Sequence, residues 1–153
     1  MLYYAMKIIA NNKKAYHDYY IEDTFEAGIE LEGWEVKTAR AAEVSLLESF
    51  VIIKDGSAYI KNAHFAPYKD GRVEEQNLRR DRRLLLHAAQ IEKLSRGIKI
   101  KGYTVVTTKL YFNKSGLLKA EIALAKGKHN YDKKEVLKQK DIARDTERQL
   151  KKT

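Results

Sequence analysis

The chain has 153 residues, of which 44% are hydrophobic, and a formal net charge of +9; this is the length of about one domain with a single core. It has no cysteine, which excludes disulfide frameworks and thiolate metal sites, and no apolar run approaches the roughly 20 residues that a membrane helix needs. We therefore expect a soluble, cytoplasmic monomer without a membrane partner.

The first half of the chain predicts short extended segments. Residues 19–25 are rich in β-forming side chains, residues 26–28 are typical of a turn, and residues 29–36 continue an extended pattern. Two further β-rich segments, 49–53 and 58–61, flank Asp55-Gly56, which is a strong hairpin signal. Residues 64–68 contain the only proline, Pro67, and this fits the end or the edge of a strand.

The second half predicts one helix and two longer strands. Residues 69–77 are polar and predict a loop, and residues 79–94 form the best helical candidate because apolar side chains recur roughly at helical spacing without Gly or Pro. Residues 103–112 and 117–124 then predict two strands around a turn at 113–116. The whole pattern favours a mainly β fold with flanking helices, a closed antiparallel barrel, because closure removes exposed sheet edges.

The positive charge lies in the second half of the chain. Residues 1–78 carry 9 Lys or Arg and 13 Asp or Glu, whereas residues 79–153 carry 21 and 8, so the two parts have net charges of −4 and +13. We predict a globular domain over residues 1–131 and a basic tail over residues 132–153. Wound as a helix, the tail places Lys133, Lys140, Arg144 and Lys151 within about 20° of one line. It is either a solvated terminus or a segment that becomes helical only against a polyanion.

No motif of a known catalytic site is present. The four histidines do not have HExxH spacing, and neither a phosphate-binding Gly-Lys-Ser/Thr loop nor a Gly-x-Ser-x-Gly elbow occurs. We therefore predict no catalytic residue, no metal and no cofactor. A divalent-metal nuclease stays open as an alternative because carboxylates are numerous in the first half, at Glu22, Asp23, Glu26, Glu30, Glu32 and Glu35.

Three basic segments suit RNA better. Residues 11–20 mix lysines and amides with His17 and tyrosines, a combination that can grip a phosphate backbone and stack on unpaired bases. The alternation along this segment means that Tyr19 or Tyr20 is a core residue. Four arginines within residues 79–83 form a positive cluster at the predicted helix start, and residues 125–129 place two lysines around Gly127, which permits close approach to a backbone.

In this order, the motifs resemble the tmRNA-binding small protein B (SsrA-binding protein) family. The similarity is most specific at Glu26-Ala27-Gly28, Glu35-Val36-Lys37 and Ala125-Lys126-Gly127-Lys128, and it spans residues 8–134. The resemblance implies an oligonucleotide-binding-fold barrel that binds the tRNA-like domain of tmRNA in trans-translation. It also implies a tail that enters a stalled ribosome and becomes helical there, functional partnership with alanyl-tRNA synthetase and elongation factor Tu, and no catalysis.

Site residues follow from the same resemblance. Those that would face RNA are Asn12, Lys13, Lys14, His17, Glu26, Lys126, Gly127 and Lys128. Asp132, Lys133 and Lys134 would join the barrel to the tail and engage the ribosome, including its RNA. The basic line along the tail adds Lys140, Arg144 and Lys151 to the residues expected to engage it. The chain departs from the family pattern at Tyr16, Ala42-Glu43 and Lys134. A general RNA chaperone or another ribosome-associated RNA-binding protein is the alternative function.

Overall fold

A computed structural model describes residues 7–68 and 73–128, which form nine strands and three α-helices. The strands are β1 (Lys7–Asn11), β2 (Tyr19–Ile29), β3 (Val44–Ser45), β4 (Phe50–Lys54), β5 (Ser57–Lys61), β6 (His64–Phe65), β7 (Arg82–Leu85), β8 (Tyr103–Phe112) and β9 (Leu118–Gly127). The helices are α1 (Lys13–Asp18), α2 (Gly33–Arg40) and α3 (Ala88–Gly97), and a 3₁₀-helix covers Glu75–Arg79. None of these described helices is long and apolar enough to cross a bilayer.

Seven strands form one antiparallel sheet whose pairings return to their starting point. The order is β1-β8-β4-β5-β7-β2-β9, and β9 also pairs with β8, so that six strands form a ring. β9 pairs along the whole of β8. The other edge of β8 is therefore shared by β1, which pairs with residues 109–112, and by β4, which meets it at Val105. β3 and β6 form a separate two-stranded sheet.

Both faces of β8 and β9 are covered. The main core contains Val105, Leu110, Ile122 and Leu124 on one face, whereas Val106, Ala123 and Ala125 pack against Ala15 of α1 on the other face. This explains why consecutive residues 105–108 of β8 are all buried. At the end of α3, Gly97 lies so close to Leu124 that a Cβ at Gly97 would come within 2.7 Å of the leucine.

Several predicted elements are confirmed. Residues 103–112 form β8, and residues 118–127 form β9, which includes most of the second predicted strand. Asp55 and Gly56 both have positive φ, 51° and 78°, and join β4 to β5 in a hairpin, as that dipeptide predicts. Pro67 lies two residues after the end of the short strand β6.

Three predicted elements are wrong. The predicted turn at 26–28 lies inside β2, and the extended pattern over 29–36 ends in helix α2, whose start is fixed by reciprocal hydrogen bonds between Glu32 and Glu35. The predicted helix over 79–94 is a 3₁₀-turn, a strand and the beginning of α3. The strand forms because Arg82 and Leu84 point inward while residues 83 and 85 point outward, a period of two that the arginines concealed.

The predicted loop over residues 69–77 is only partly described, and its last residues belong to the 3₁₀-helix. The boundary between the domain and the basic tail, with all six residues assigned to the ribosome, lies outside the described residues. The separation into 1–131 and 132–153 stays a prediction.

Candidate nucleic-acid interface

Asn12 holds α1 against the sheet. Its Nδ2 donates to the backbone oxygens of Thr107 at 2.9 Å and Leu46 at 3.2 Å, and its Oδ1 accepts from the backbone N–H of Ala15 at 3.2 Å. Only 5% of the residue is exposed. The Asn12 side chain is thus buried and positions α1, and a contact of Asn12 with RNA stays a prediction.

The next residues of α1 carry the solvent-facing groups. Lys13, Lys14 and His17 are all exposed. Lys14 Nζ lies 3.2 Å from Asp18 Oδ2, and His17 Nδ1 lies 2.9 Å from Asp18 Oδ1. The hydrogen bond from His17, followed by those from Lys14, lowers the pKa of Asp18 below its usual range. Asp18 thus stays ionised and restrains two of the residues predicted to meet RNA.

Residues from opposite ends of the described chain meet at this helix. The backbone N–H of Lys128 donates to the backbone oxygen of Asp18 at 3.0 Å, and Gly127 pairs with Tyr19 across β9 and β2. These contacts join the two segments that carry Lys13, Lys14, His17, Lys126, Gly127 and Lys128, and we call these six residues the α1–β9 surface. Six of the eight residues predicted to face RNA belong to it.

Aromatic rings lie next to two of these cations. Lys128 Nζ is 5.0 Å from the ring centroid of Tyr20, and Lys126 Nζ is 6.0 Å from that of Tyr103. Tyr20 is 51% exposed, whereas Tyr19 is partly buried against the cluster under α1. Tyr19 thus packs against the core without being fully buried, and the ring of Tyr20 is accessible to a base.

Glu26 lies apart from the α1–β9 surface. It is exposed on β2, opposite Glu121 of β9, which is five positions from Lys126 and therefore roughly 16 Å along the strand. The hydroxyl of Tyr111 donates a hydrogen bond to Glu26. Burial and this hydrogen bond raise the pKa of Tyr111 well above its ordinary value, so the tyrosine stays a donor and fixes the carboxylate in place.

Two arginines of the cluster at 79–83, Arg80 and Arg82, are held in ion pairs with the buried Glu35. Arg82 has no exposed surface and donates through Nε to Glu35 at 2.7 Å, and Arg80 donates to the same carboxylate at 2.6 and 2.9 Å. Arg83 is half-exposed and lies 3.9 Å from Glu30. In the sequence, a cluster of structural arginines looks the same as a cluster that binds phosphates. Only the tertiary contacts distinguish one from the other.

Two lysines of the basic region were not predicted from the sequence. Lys99 and Lys101 are exposed in the loop between α3 and β8, and the backbone oxygen of Gly102 accepts from the N–H of Gly127 at 3.0 Å. This bond joins the loop to the α1–β9 surface. The sequence pattern that could have indicated these two lysines is their alternation with Ile100, which is also exposed.

The described part of the chain contains no group of three or more His, Asp or Glu side chains that could hold a metal ion. Instead, the first-half carboxylates contact separate partners. Glu22 accepts from Tyr103, Asp23 lies near Lys93, Glu26 accepts from Tyr111, Glu30 lies near Arg83, and Glu35 binds Arg80 and Arg82. This arrangement does not favour the nuclease alternative.

Comparison with known proteins identifies the family. The family profile described as SmpB protein matches residues 9–152. This chain belongs to the SmpB protein family. It is 52% identical over 139 residues to the SsrA-binding protein of Geotalea uraniireducens, covering 91% of each chain, and 48% identical over 145 residues to that of Streptococcus sanguinis, covering 95% and 93%. The resemblance inferred from the sequence is confirmed.

A solved structure has a similar fold. It is described as "tmRNA-SmpB: a journey to the center of the bacterial ribosome", and it matches with a TM-score of 0.65 and 43% sequence identity, covering 77% of this chain and 82% of that one. The mainly β architecture with a few helices is thus shared with an SmpB protein.

Proposed function

We propose that this protein binds the tRNA-like domain of tmRNA and delivers it to stalled ribosomes for rescue and peptide tagging. One observation carries the proposal: in a chain of the SmpB family, α1 and the end of β9 meet through the Lys128–Asp18 backbone bond of 3.0 Å. This contact gathers lysines, a histidine and a tyrosine ring on one surface. Phosphates favour such cations, and unpaired bases favour such rings.

The finer features of the proposal extend this assignment. The closed ring of strands acts as an oligonucleotide-binding-fold barrel, and residues 132–153 act as the segment that engages the ribosome through Asp132, Lys133, Lys134, Lys140, Arg144 and Lys151. The protein works in the cytoplasm as a monomeric adaptor, together with alanyl-tRNA synthetase and elongation factor Tu. It catalyses no reaction itself.

A salt titration tests the surface. Replacing Lys13 and Lys128 by alanine should weaken binding to the tRNA-like domain and reduce the slope of log K against log[salt] by about 1 for each phosphate that is no longer neutralised. Lys54 and Lys114 provide the matched control, because both are exposed on hairpins outside the α1–β9 surface. Equal slopes in the two double variants would assign the binding to another face.

Competition with bulk tRNA separates the proposal from a general RNA chaperone. The proposed adaptor prefers tmRNA at matched salt, whereas a chaperone binds both RNAs alike.

The tail is tested independently by deleting residues 133–153, which should preserve tmRNA binding and abolish tagging of stalled chains. Tagging by the truncated protein would show that the tail has another role.

A further inference from the structure

A cleft opens beside the α1–β9 surface where β1 and β4 part along the same edge of β8. In the gap between these two strands, the backbone N–H of Asn12 donates to Thr108 at 2.8 Å and its Nδ2 donates to Thr107 at 2.9 Å. Nδ2 also donates to Leu46, whose oxygen accepts from the hydroxyl of Ser49 at 2.8 Å. The segment between β3 and β4 is therefore tied to α1, so both sides of the cleft are held in place.

The cleft has an apolar side and a charged side. Its volume is about 310 Å³, and it is lined by Leu47 and Phe50 from the β3–β4 side, by Lys14 and Asp18 from α1, and by Val106 from β8. Phe50 is 40% exposed and Leu47 is 57% exposed. A volume near 300 Å³ is at the small end of the range for ligand sites, which suits one flat ring rather than a folded peptide.

Charge connects the cleft to the surface predicted to bind RNA. A second cleft of about 350 Å³ adjoins the first and is lined by Lys13, Lys14 and Leu47. Lys14 and Leu47 thus line both clefts. The ammonium groups are suited to a phosphate between successive nucleotides, while Asp18 and Glu48, which also lines the first cleft, can accept hydrogen bonds from the amino edge of a base.

We infer that the cleft between α1 and the β3–β4 segment takes one unpaired nucleobase of the bound RNA, stacked on Phe50, with an adjoining phosphate at Lys13 and Lys14. This inference rests on the proposed function and makes it more specific. An exposed ring next to unburied cations is the combination that holds single-stranded nucleotides. The two carboxylates favour a base that carries an amino group over one that does not.

Binding of the tRNA-like domain to two variants tests the inference. Phe50→Ala should weaken binding by roughly tenfold or more, the loss typical of one stacked base. Leu117→Ala should leave binding unchanged, because Leu117 is 57% exposed at the β8–β9 hairpin, about 20 Å along the strands from the cleft. Equal affinity of Phe50→Ala and the unaltered protein would overturn the inference.

Fluorescence gives a second measurement that does not depend on the affinity of the alanine variant. In a Trp34→Phe background, which removes the chain's only tryptophan, Phe50→Trp should be quenched when RNA is added and Leu117→Trp should not. Quenching at position 50 only supports the cleft, whereas no quenching on saturation with RNA contradicts it. If the unaltered protein does not prefer tmRNA to tRNA, the proposed function fails instead, and the two failures are distinguishable.

Discussion

Glu35 and Arg82 form an ion pair with no exposed side-chain surface, joined by a 2.7 Å contact between Oε2 and Nε. The remaining N–H groups of Arg82 donate to the backbone oxygens of Ala63, Arg80, Asn77 and Leu78, and its guanidinium lies 4.0 Å from the ring centroid of Phe65. Because all five donors are used, Arg82 connects helix α2, the 3₁₀-turn and strand β7 at one point.

We predict that Glu35→Gln lowers the free energy of unfolding by about 3 kcal/mol or more, because breaking a buried ion pair leaves an uncompensated charge. Urea unfolding would measure the loss. Glu30→Gln is the matched control: the Glu30–Arg83 pair is half-exposed, with a separation of 3.9 Å, and its removal should cost less than about 1 kcal/mol. Similar losses in the two variants would contradict the structural role of the buried pair.

The same pair predicts acid sensitivity. Burial acts to raise the pKa of Glu35, but hydrogen bonds from Arg80 and the backbone, together with the charge of Arg82, hold that pKa below its ordinary value of 4.5. A carboxyl with a lowered pKa in the folded state stabilises the protein fully above its unfolded pKa, and this contribution is lost as the pH falls through the folded pKa.

The difference in unfolding free energy between the unaltered protein and Glu35→Gln should therefore be constant from neutral pH down to about pH 5. Below pH 4.5 it should shrink, because only the unaltered protein loses this contribution. Urea titrations across that range would measure the difference. A difference that stays constant down to about pH 3 would mean that folding does not lower the pKa of Glu35, and a widening difference would reverse the assigned sign.

Asn12 offers a test of how α1 is held. Asn12→Ala should lower the free energy of unfolding by about 2 kcal/mol, because the helix loses its cap and two cross-links to other backbone segments. Asn12→Asp retains an oxygen that can accept from Ala15 but lacks the Nδ2 donors to Thr107 and Leu46. We expect no rescue by aspartate. If aspartate restores stability in thermal or urea unfolding, capping alone explains the role of Asn12.

Local patterns predicted the elements in which neighbouring residues decide the structure. The predicted strand over 103–112 and the Asp55-Gly56 hairpin were correct, and the spacing of Ala88, Ile91 and Leu94 correctly indicated a helix from residue 88 onward. The same spacing was misleading before residue 88. There, Arg82 enters the core because Glu35, 47 positions earlier in the chain, is present to meet it.

In the candidate site, too, local patterns predicted some features, and contacts between distant parts of the chain decided the others. Charge and ring content indicated Lys13, Lys14, His17 and the lysines near Gly127, and the structure places them together. The inward direction of Asn12 could not be predicted, because its partners include Thr107, which is 95 positions away. The connection of Lys128 to Asp18 similarly depends on the pairing of β2 with β9, which no local pattern specifies.

A substitution at Gly127 can test how closely RNA approaches the protein without changing the contacts inside the folded protein. A Cβ at this position would lie 3.9 Å from its nearest neighbours, the oxygen of Gly102 and Cε1 of Tyr19, which is ordinary contact distance. Gly127→Ala should therefore leave the thermal unfolding midpoint unchanged. If an RNA backbone approaches Gly127 as proposed, the added methyl group should weaken tmRNA binding by roughly tenfold, or about 1.4 kcal/mol.

Gly33→Ala is the control for this substitution, since a Cβ at Gly33 would have no neighbour within 4 Å and the residue begins α2, away from the α1–β9 surface. Its affinity for tmRNA should equal that of the unaltered protein. Unchanged affinity of Gly127→Ala would place the RNA backbone farther from β9 and leave the flanking lysines as long-range phosphate contacts. Because neither alanine is strained in the folded protein, a difference between the two variants reports on the RNA alone.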